Sequence, residues 1–269
     1  MSNLSKRLIS AAALIPCVLA LIFAAPDWLF VSFIAMLAGL VGLEYGTMAL
    51  RDHFRSFRLL VVAFSAASTL SLAFCGRFPM APVLAFTLTV VLFPLMFMFR
   101  GGEMKGAVNA AASAAVGSLY AGILCGFLIL VYRIQPAGSD WIFTLFAAAV
   151  LSDTGAYAGG RAFGRRKLFP RISPSKTWAG AVGGLLGTLA GIAFSKLFFL
   201  PSLSWPLAAL LWLPLGASFQ LGDLLESFLK RGFGVKDSGN LIPGHGGLFD
   251  RIDSLLLGAP MLYLFSMLR

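Results

Sequence analysis

Residues 221–231, LGDLLESFLKR, carry two acids, a hydroxyl and a cation at helical spacing. Side chains three and four apart share a helix face, so Asp223, Glu226, Ser227 and Lys230 form one polar stripe. The surrounding residues are apolar enough for a membrane span. A charge near a bilayer centre costs about 3 kcal/mol even on the lenient insertion scale, so the stripe faces protein or water. An internal Glu226–Lys230 pair at i, i+4 is one reading of it. A site for charged ligands is the other.

The next segment favours the site. Residues 232–253, GFGVKDSGNLIPGHGGLFDRID, hold glycines at 232, 234, 239, 244, 246 and 247 among a dense set of charges. Glycine lets backbone approach a ligand closely. Successive N–H groups in such turns form concavities that bind anions. Lys230, Arg231, Lys236, His245 and Arg251 are placed to surround phosphates. Asp250 and Asp253 stand three apart at the start of the final helix. There they either compensate the helix dipole or take part in the chemistry. Acids and bases around a glycine-rich loop point to a phosphate and metal site centred on Asp223 and Asp250.

Two further segments belong with it. In residues 152–157, SDTGAY, Asp153 sits late in an apolar helix with Tyr157 one turn on. An intramembrane acid is a functional candidate by default, against the alternative of a buried structural Asp. Residues 161–178, RAFGRRKLFPRISPSKTW, read as a loop with six basic residues, many of them accounted for by membrane topology alone. Within it SPSKTW is more specific. Pro174 fixes the backbone and removes a donor. Ser175 or Thr177 caps the next helix, whose N-terminus can receive a phosphate, and Lys176 is the expected anion contact. Gly155 and Gly159, and Gly183, Gly187 and Gly191, are four apart and read as close helix packing.

Membrane helices must position these groups. The 269 residues are 59% hydrophobic and only 12% charged, where a soluble domain has about 25% charged residues. Mean hydropathy is +0.88. An ordinary soluble enzyme is excluded. The net charge of +10 is dispersed between apolar segments, which suits membrane topology and anionic substrates rather than nucleic acid. Cys17, Cys75 and Cys125 lie in apolar segments without metal-ligand spacing and read as reduced packing residues. Lys6 and Arg7 before an apolar run resemble a secretory signal, but Pro26 and the many later apolar segments favour an uncleaved first span.

A span needs about 20 apolar residues. Nine candidates follow, at 7–25, 28–50, 56–75, 79–99, 110–132, 140–160, 177–199, 205–229 and 251–268. Of the 21 Lys and Arg, 17 fall on the side of the N-terminus, which puts that terminus in the cytoplasm and the C-terminus outside. The expectation is an all-α, polytopic, single integral-membrane domain over 1–269. Its scaffold-like helices occupy 1–149, with Glu44 the one clearly intramembrane acid. Its catalytic helices and cytoplasmic loops occupy 150–269.

The run S-x-L-K-R-x4-K-D-S-G-x-L-I-P-G-H-G-G-x-x-D-R-I-D, from Ser227 to Asp253, resembles the signature of phosphatidate cytidylyltransferases, or CDP-diacylglycerol synthases. DTGAY at 153–157 and SPSKTW at 173–178 resemble two further segments of that family, in the same order. The likeness covers about 150–253 at motif level; before 150 it rests on length and span count. Ser175 stands where the family commonly has Lys or Gly, and Ala179 where it has an acid or amide. No chemistry is therefore assigned to 179, and side-chain contacts at 175 carry less weight.

The resemblance implies nine transmembrane helices, a homodimer in a bacterial inner membrane, and an active site facing the cytoplasm. It implies a Mg²⁺-dependent nucleotidyltransferase that converts CTP and phosphatidic acid into CDP-diacylglycerol and pyrophosphate. A two-cation site is implied at Asp223 and Asp250, with K⁺ beside Mg²⁺. The catalytic set is Asp223, Asp250, Lys230, Arg231 and Asp153. The substrate contacts are Ser173, Lys176, Lys236, Asp237, His245, Gly246 and Arg251. A transporter also uses intramembrane acids, but the cytoplasmic glycine-rich loop fits nucleotide handling better. The spaced acids of CDP-alcohol phosphotransferases are absent, and a non-catalytic scaffold gives no reason for the 227–253 constellation.

Overall fold

Within a bilayer no water satisfies backbone N–H and C=O groups, so long apolar runs fold as helices. The structure, a computed structural model, describes residues 16–50, 52–100, 103–241 and 246–268. After a helical stretch at 16–23 come α1 (Asp27–Ala49), a 3₁₀ segment (Asp52–Phe57), α2 (Arg58–Ala73), α3 (Ala81–Met98), α4 (Met104–Tyr132) and α5 (Gly138–Phe163). A hairpin of β1 (Lys167–Phe169) and β2 (Ser173–Thr177) leads to α6 (Trp178–Phe198), α7 (Trp205–Gly232) and α8 (Phe249–Ser266).

Seven helices among the described residues are long and apolar enough to cross a membrane: α1, the 54–73 stretch containing α2, and α3 to α7. The chain is an all-α, multi-pass membrane protein. Of the first expected span, 7–25, residues 7–15 lie outside the described residues. The last, α8, has 18 residues and carries Asp250, Arg251 and Asp253 at its start, and that charge keeps it out of the apolar set.

The 161–178 loop is more ordered than its basic composition suggests. Helix α5 runs on to Phe163, and the antiparallel hairpin pairs Lys167 with Thr177 and Phe169 with Ser173. Pro174 pushes Ser173 toward extended backbone. Thr177 closes the hairpin and caps α6, its Oγ1 accepting from the Gly180 N–H at 3.1 Å.

Two compact units divide the chain. One comprises residues 1–130 and 237–249. Its aromatic core stacks Phe57 on Phe97 at 4.2 Å and Phe64 on Phe93 at 5.0 Å, around buried Leu50 and Val61. Arg58 donates through Nε and Nη2 to the Leu50 carbonyl at 2.9 and 2.6 Å, which satisfies an orphan acceptor just beyond the end of α1. Thr69 Oγ1 donates to the Gly122 carbonyl at 2.8 Å and ties α2 to α4.

The other unit comprises residues 131–236 and 250–269. Its α5 and α6 lie backbone to backbone. A Cβ on Gly155 would strike the Gly183 carbonyl, one on Gly183 the Gly155 carbonyl, and one on Gly159 would stand 2.8 Å from the Ala179 carbonyl. Trp212 Nε1 and Gln220 Nε2 donate to the Leu185 and Ala181 carbonyls at 2.6 and 2.9 Å, fastening α7 to α6. The three cysteines are free.

Close contact at Gly183 and open space around Gly106 give one substitution two signs. Gly183→Ala is expected to lower stability by about 1–3 kcal/mol through overpacking. Gly106→Ala, in a helix, is expected to be neutral or stabilising by up to about 1 kcal/mol. Thermal unfolding of the detergent-solubilised variants reads both.

Candidate active site

The polar stripe of α7 is an ion-pair chain. Lys230 Nζ lies 2.6 Å from Glu226 Oε2, one turn back, and 2.6 Å from Asp250 Oδ1 at the start of α8. The side chains are 12%, 1% and 10% exposed respectively. An ammonium offers three donors and no acceptor, so one lysine can serve both acids. The internal Glu226–Lys230 pair is present, and Asp250 extends it to a second helix.

Two turns before Lys230 on α7, Asp223 meets a different lysine. Lys176 Nζ, delivered by β2, stands 2.7 Å from Asp223 Oδ2, with side chains 23% and 41% exposed. The pair borders a cavity of about 540 Å³ whose polar lining includes Asp153, Tyr157, Arg161, Ser175 and Gln220. Tyr157 Oη accepts from Arg161 Nη1 at 2.9 Å. The cavity walls are thus the end of α5, the hairpin, the first turns of α6 and the second half of α7.

The same stretch of α7 approaches α8 at Gly222, where a Cβ would lie 2.5 Å from the Asp253 carbonyl and 3.1 Å from Ser254 Cα. Only glycine leaves room for that approach. It brings carboxylate oxygens of Asp223, Glu226 and Asp253 within 4.8 Å of one another. Glu226 Oε1 is buried without a hydrogen-bond partner. Asp253 Oδ1 accepts from the Ser254 N–H at 2.7 Å. Glu226 adjoins both acids expected to share a cation: it lies with Asp223 and Asp253, and it shares Lys230 with Asp250.

The remaining expected residues come from several elements. Ser173 opens β2 and is half-buried. Arg231, Lys236 and Arg251 are exposed. Arg231 Nη1 donates to the Val235 carbonyl at 2.8 Å, and with Arg171 it lines a second cavity of about 490 Å³. Asp237 and Gly246 belong to the other compact unit. Asp237 is exposed there, and Gly246 takes φ 81°, which favours glycine. His245 lies outside the described residues. Asp253 and Glu226 were visible in the sequence as a helix-start acid and a stripe member. Their meeting with Asp223 depends on the α7–α8 approach, which no local spacing encodes.

The model of the cytidylyltransferase family matches residues 5–268. Proteins named phosphatidate cytidylyltransferase are among the similar sequences. That of Brucella suis is 46% identical over 155 residues, covering 56% of each chain. That of Staphylococcus saprophyticus is 43% identical over 152 residues, 56% of this chain and 57% of the relative. That of Bacillus subtilis is 39% identical over 148 residues, 55% of each. The chain spans about half the length of the curated relatives it matches. Because the family match runs across nearly all of its residues, the chain belongs to the cytidylyltransferase family.

Proposed function

We propose that the protein transfers a cytidylyl group from CTP to phosphatidic acid, giving CDP-diacylglycerol and pyrophosphate for phospholipid synthesis. The observation that carries this reading is the Lys176–Asp223 pair on a cavity beside three converging carboxylates. Relatives named for this activity support the choice of substrates.

A phosphate oxygen of phosphatidic acid, already anionic, attacks the α-phosphorus of CTP. The new P–O bond forms as the bond to the β-phosphate bridging oxygen breaks, and pyrophosphate leaves with that electron pair. No covalent enzyme intermediate is needed. Both reactants are negative, so the protein must suppress repulsion. Lys176 exchanges Asp223 for a substrate phosphate. Arg231, Lys236 and Arg251, all exposed, bind phosphates and offset charge on the leaving pyrophosphate. Ser173, Asp237, His245 and Gly246 complete the substrate contacts, and Asp153 supplies a further acid on the cavity wall. The acyl chains stay in the bilayer while the headgroup enters.

The carboxylates fit a hard divalent cation. Three acids offer oxygen ligands within a span of 4.8 Å, and buried Glu226 Oε1 needs a partner. Asp223, Glu226 and Asp253 would hold Mg²⁺, which supplies charge neutralisation and orientation for in-line displacement when bound. Asp250, on Lys230, is the second acid of the implied two-cation site. K⁺ beside Mg²⁺, a homodimer, and an inner-membrane location with the active site facing the cytoplasm are parts of the same proposal. The side that bears 17 of the 21 Lys and Arg supports the orientation.

Purified protein with labelled CTP and phosphatidic acid should form a CDP-lipid; flux in proteoliposomes without CTP, and no such product, would instead indicate a transporter. Asp223→Asn and Asp250→Asn should each lower turnover by at least about 100-fold, since loss even of outer-shell metal partners costs 10–100-fold. Both variants should insert and elute from size exclusion as the wild type does. Near-normal turnover in either removes that residue from the site. Chelation by EDTA should abolish product formation and excess Mg²⁺ should restore it; activity that persists in EDTA rules out the cation.

A further inference from the structure

Glu44 is a buried acid for which the transfer reaction has no use. It lies on α1 and is 5% exposed. Its partners come from the glycine-rich loop, about two hundred residues along the chain. Glu44 Oε1 accepts from the Leu248 N–H at 2.8 Å, and Oε2 accepts from the Phe249 N–H and from Ser238 Oγ, each at 2.8 Å. Leu248 and Phe249 open α8, where N–H groups lack helical partners and the dipole favours an anion. One carboxylate therefore grips the segment from 238 to 249 at both ends.

Two glycines let it do so. A Cβ on Gly239 would stand 2.7 Å from Glu44 Oε1, and one on Gly247 would strike Ser238 Oγ and stand 2.6 Å from Glu44 Oε2. Real Cβ atoms do not approach that closely, so a methyl group at either position displaces the carboxylate. The close approach of backbone to acid explains glycine at these two positions without any ligand.

We infer that Glu44 is a positioning residue for CTP: it holds Ser238 and Gly239 against Gly247, Leu248 and Phe249 before the nucleotide arrives. The inference rests on the cytidylyl-transfer reading above. Glycine-rich chain loses more conformational freedom on ordering than any other, and a ligand that must itself order a loop binds more weakly. Release of the grip thus weakens nucleotide binding while the α7 acids and lysines keep their own contacts.

Four variants test this in detergent or nanodiscs: Glu44→Gln, Glu44→Asp, Gly239→Ala, and Glu44→Asp with Gly239→Ala. Gln keeps one acceptor but turns an NH₂ group toward backbone donors. Glu44→Gln and Gly239→Ala should each raise KM for CTP about tenfold or more, the scale of losing a hydrogen bond to a charged group. KM for phosphatidic acid should stay within about twofold. Asp withdraws the carboxylate by one methylene, so it should partly restore KM in the Gly239→Ala background, a non-additive pair. Unchanged KM for CTP in both single variants overturns the inference. So does a fall in kcat and melting temperature with KM unchanged, which marks an acid serving the fold alone. If Glu44→Gln does not fold, Gly239→Ala and the double variant decide: restoration supports the inference and additive loss overturns it. If the wild type forms no CDP-lipid, the reading of the reaction fails first. Hydrogen exchange over 238–249 then decides, and rates unchanged by Glu44→Gln and Gly239→Ala overturn the grip itself.

Discussion

Lys230 holds together the buried charges where α7 meets α8. Its ammonium stands between Glu226 and Asp250, all three largely withdrawn from solvent. Removing one partner of such a cluster leaves an uncompensated charge, which costs about 3–5 kcal/mol in buried sites. The pairing also links α7 to the first turn of α8. The start of α8 is thereby tied to the end of α7. The acids at Asp223 and Asp253 gain their proximity from the same two helices.

Close approach of helix backbones makes that arrangement possible. Apolar association between helices is weak in lipid, and small residues allow the van der Waals contact that replaces it. Gly155, Gly159 and Gly183 bring α5 and α6 together, and Gly222 brings α7 against α8. Side-chain donors then find main-chain acceptors on neighbouring helices, as Trp212 and Gln220 do on α6. The glycines permit a polar cavity in a chain that has little polar surface to spare.

Local spacing made part of this legible. The i, i+4 relation of Glu226 and Lys230 and the four-residue glycine spacings of α5 and α6 both survive in three dimensions because they are properties of a single helix or of one helix pair. The choice between Ser175 and Thr177 as cap was open in the sequence; the hairpin register settles it by placing Thr177 at the junction. The hairpin itself was hidden, since six basic residues in 161–178 read equally well as a topological loop. The partners of Asp223 and Glu44 were hidden for another reason. They lie on other elements, and in Glu44's case 194 to 205 residues away. Hydrophobic periodicity marks which face of a helix is buried, not which helix covers it.

The two lysine–carboxylate contacts of α7 differ in how far they are withdrawn from solvent. At Lys230 the partners are 1% and 10% exposed; at Lys176 the carboxylate is 41% exposed and faces a cavity. A solvated ion pair contributes little stability because water screens it and can replace either partner. A buried one is strongly destabilised when either partner is lost. The Lys176–Asp223 pair stands between these cases: its carboxylate is exposed but Lys176 Nζ is buried, so the ammonium keeps an anion beside it and can only exchange one for another. In the proposed transfer that exchange would place Lys176 on the substrate oxygens and leave Asp223 beside Glu226 and Asp253 to take a counter-charge. Lys230 cannot be released on those terms. It is the fixed charge that keeps Glu226 and Asp250 together where α7 meets α8.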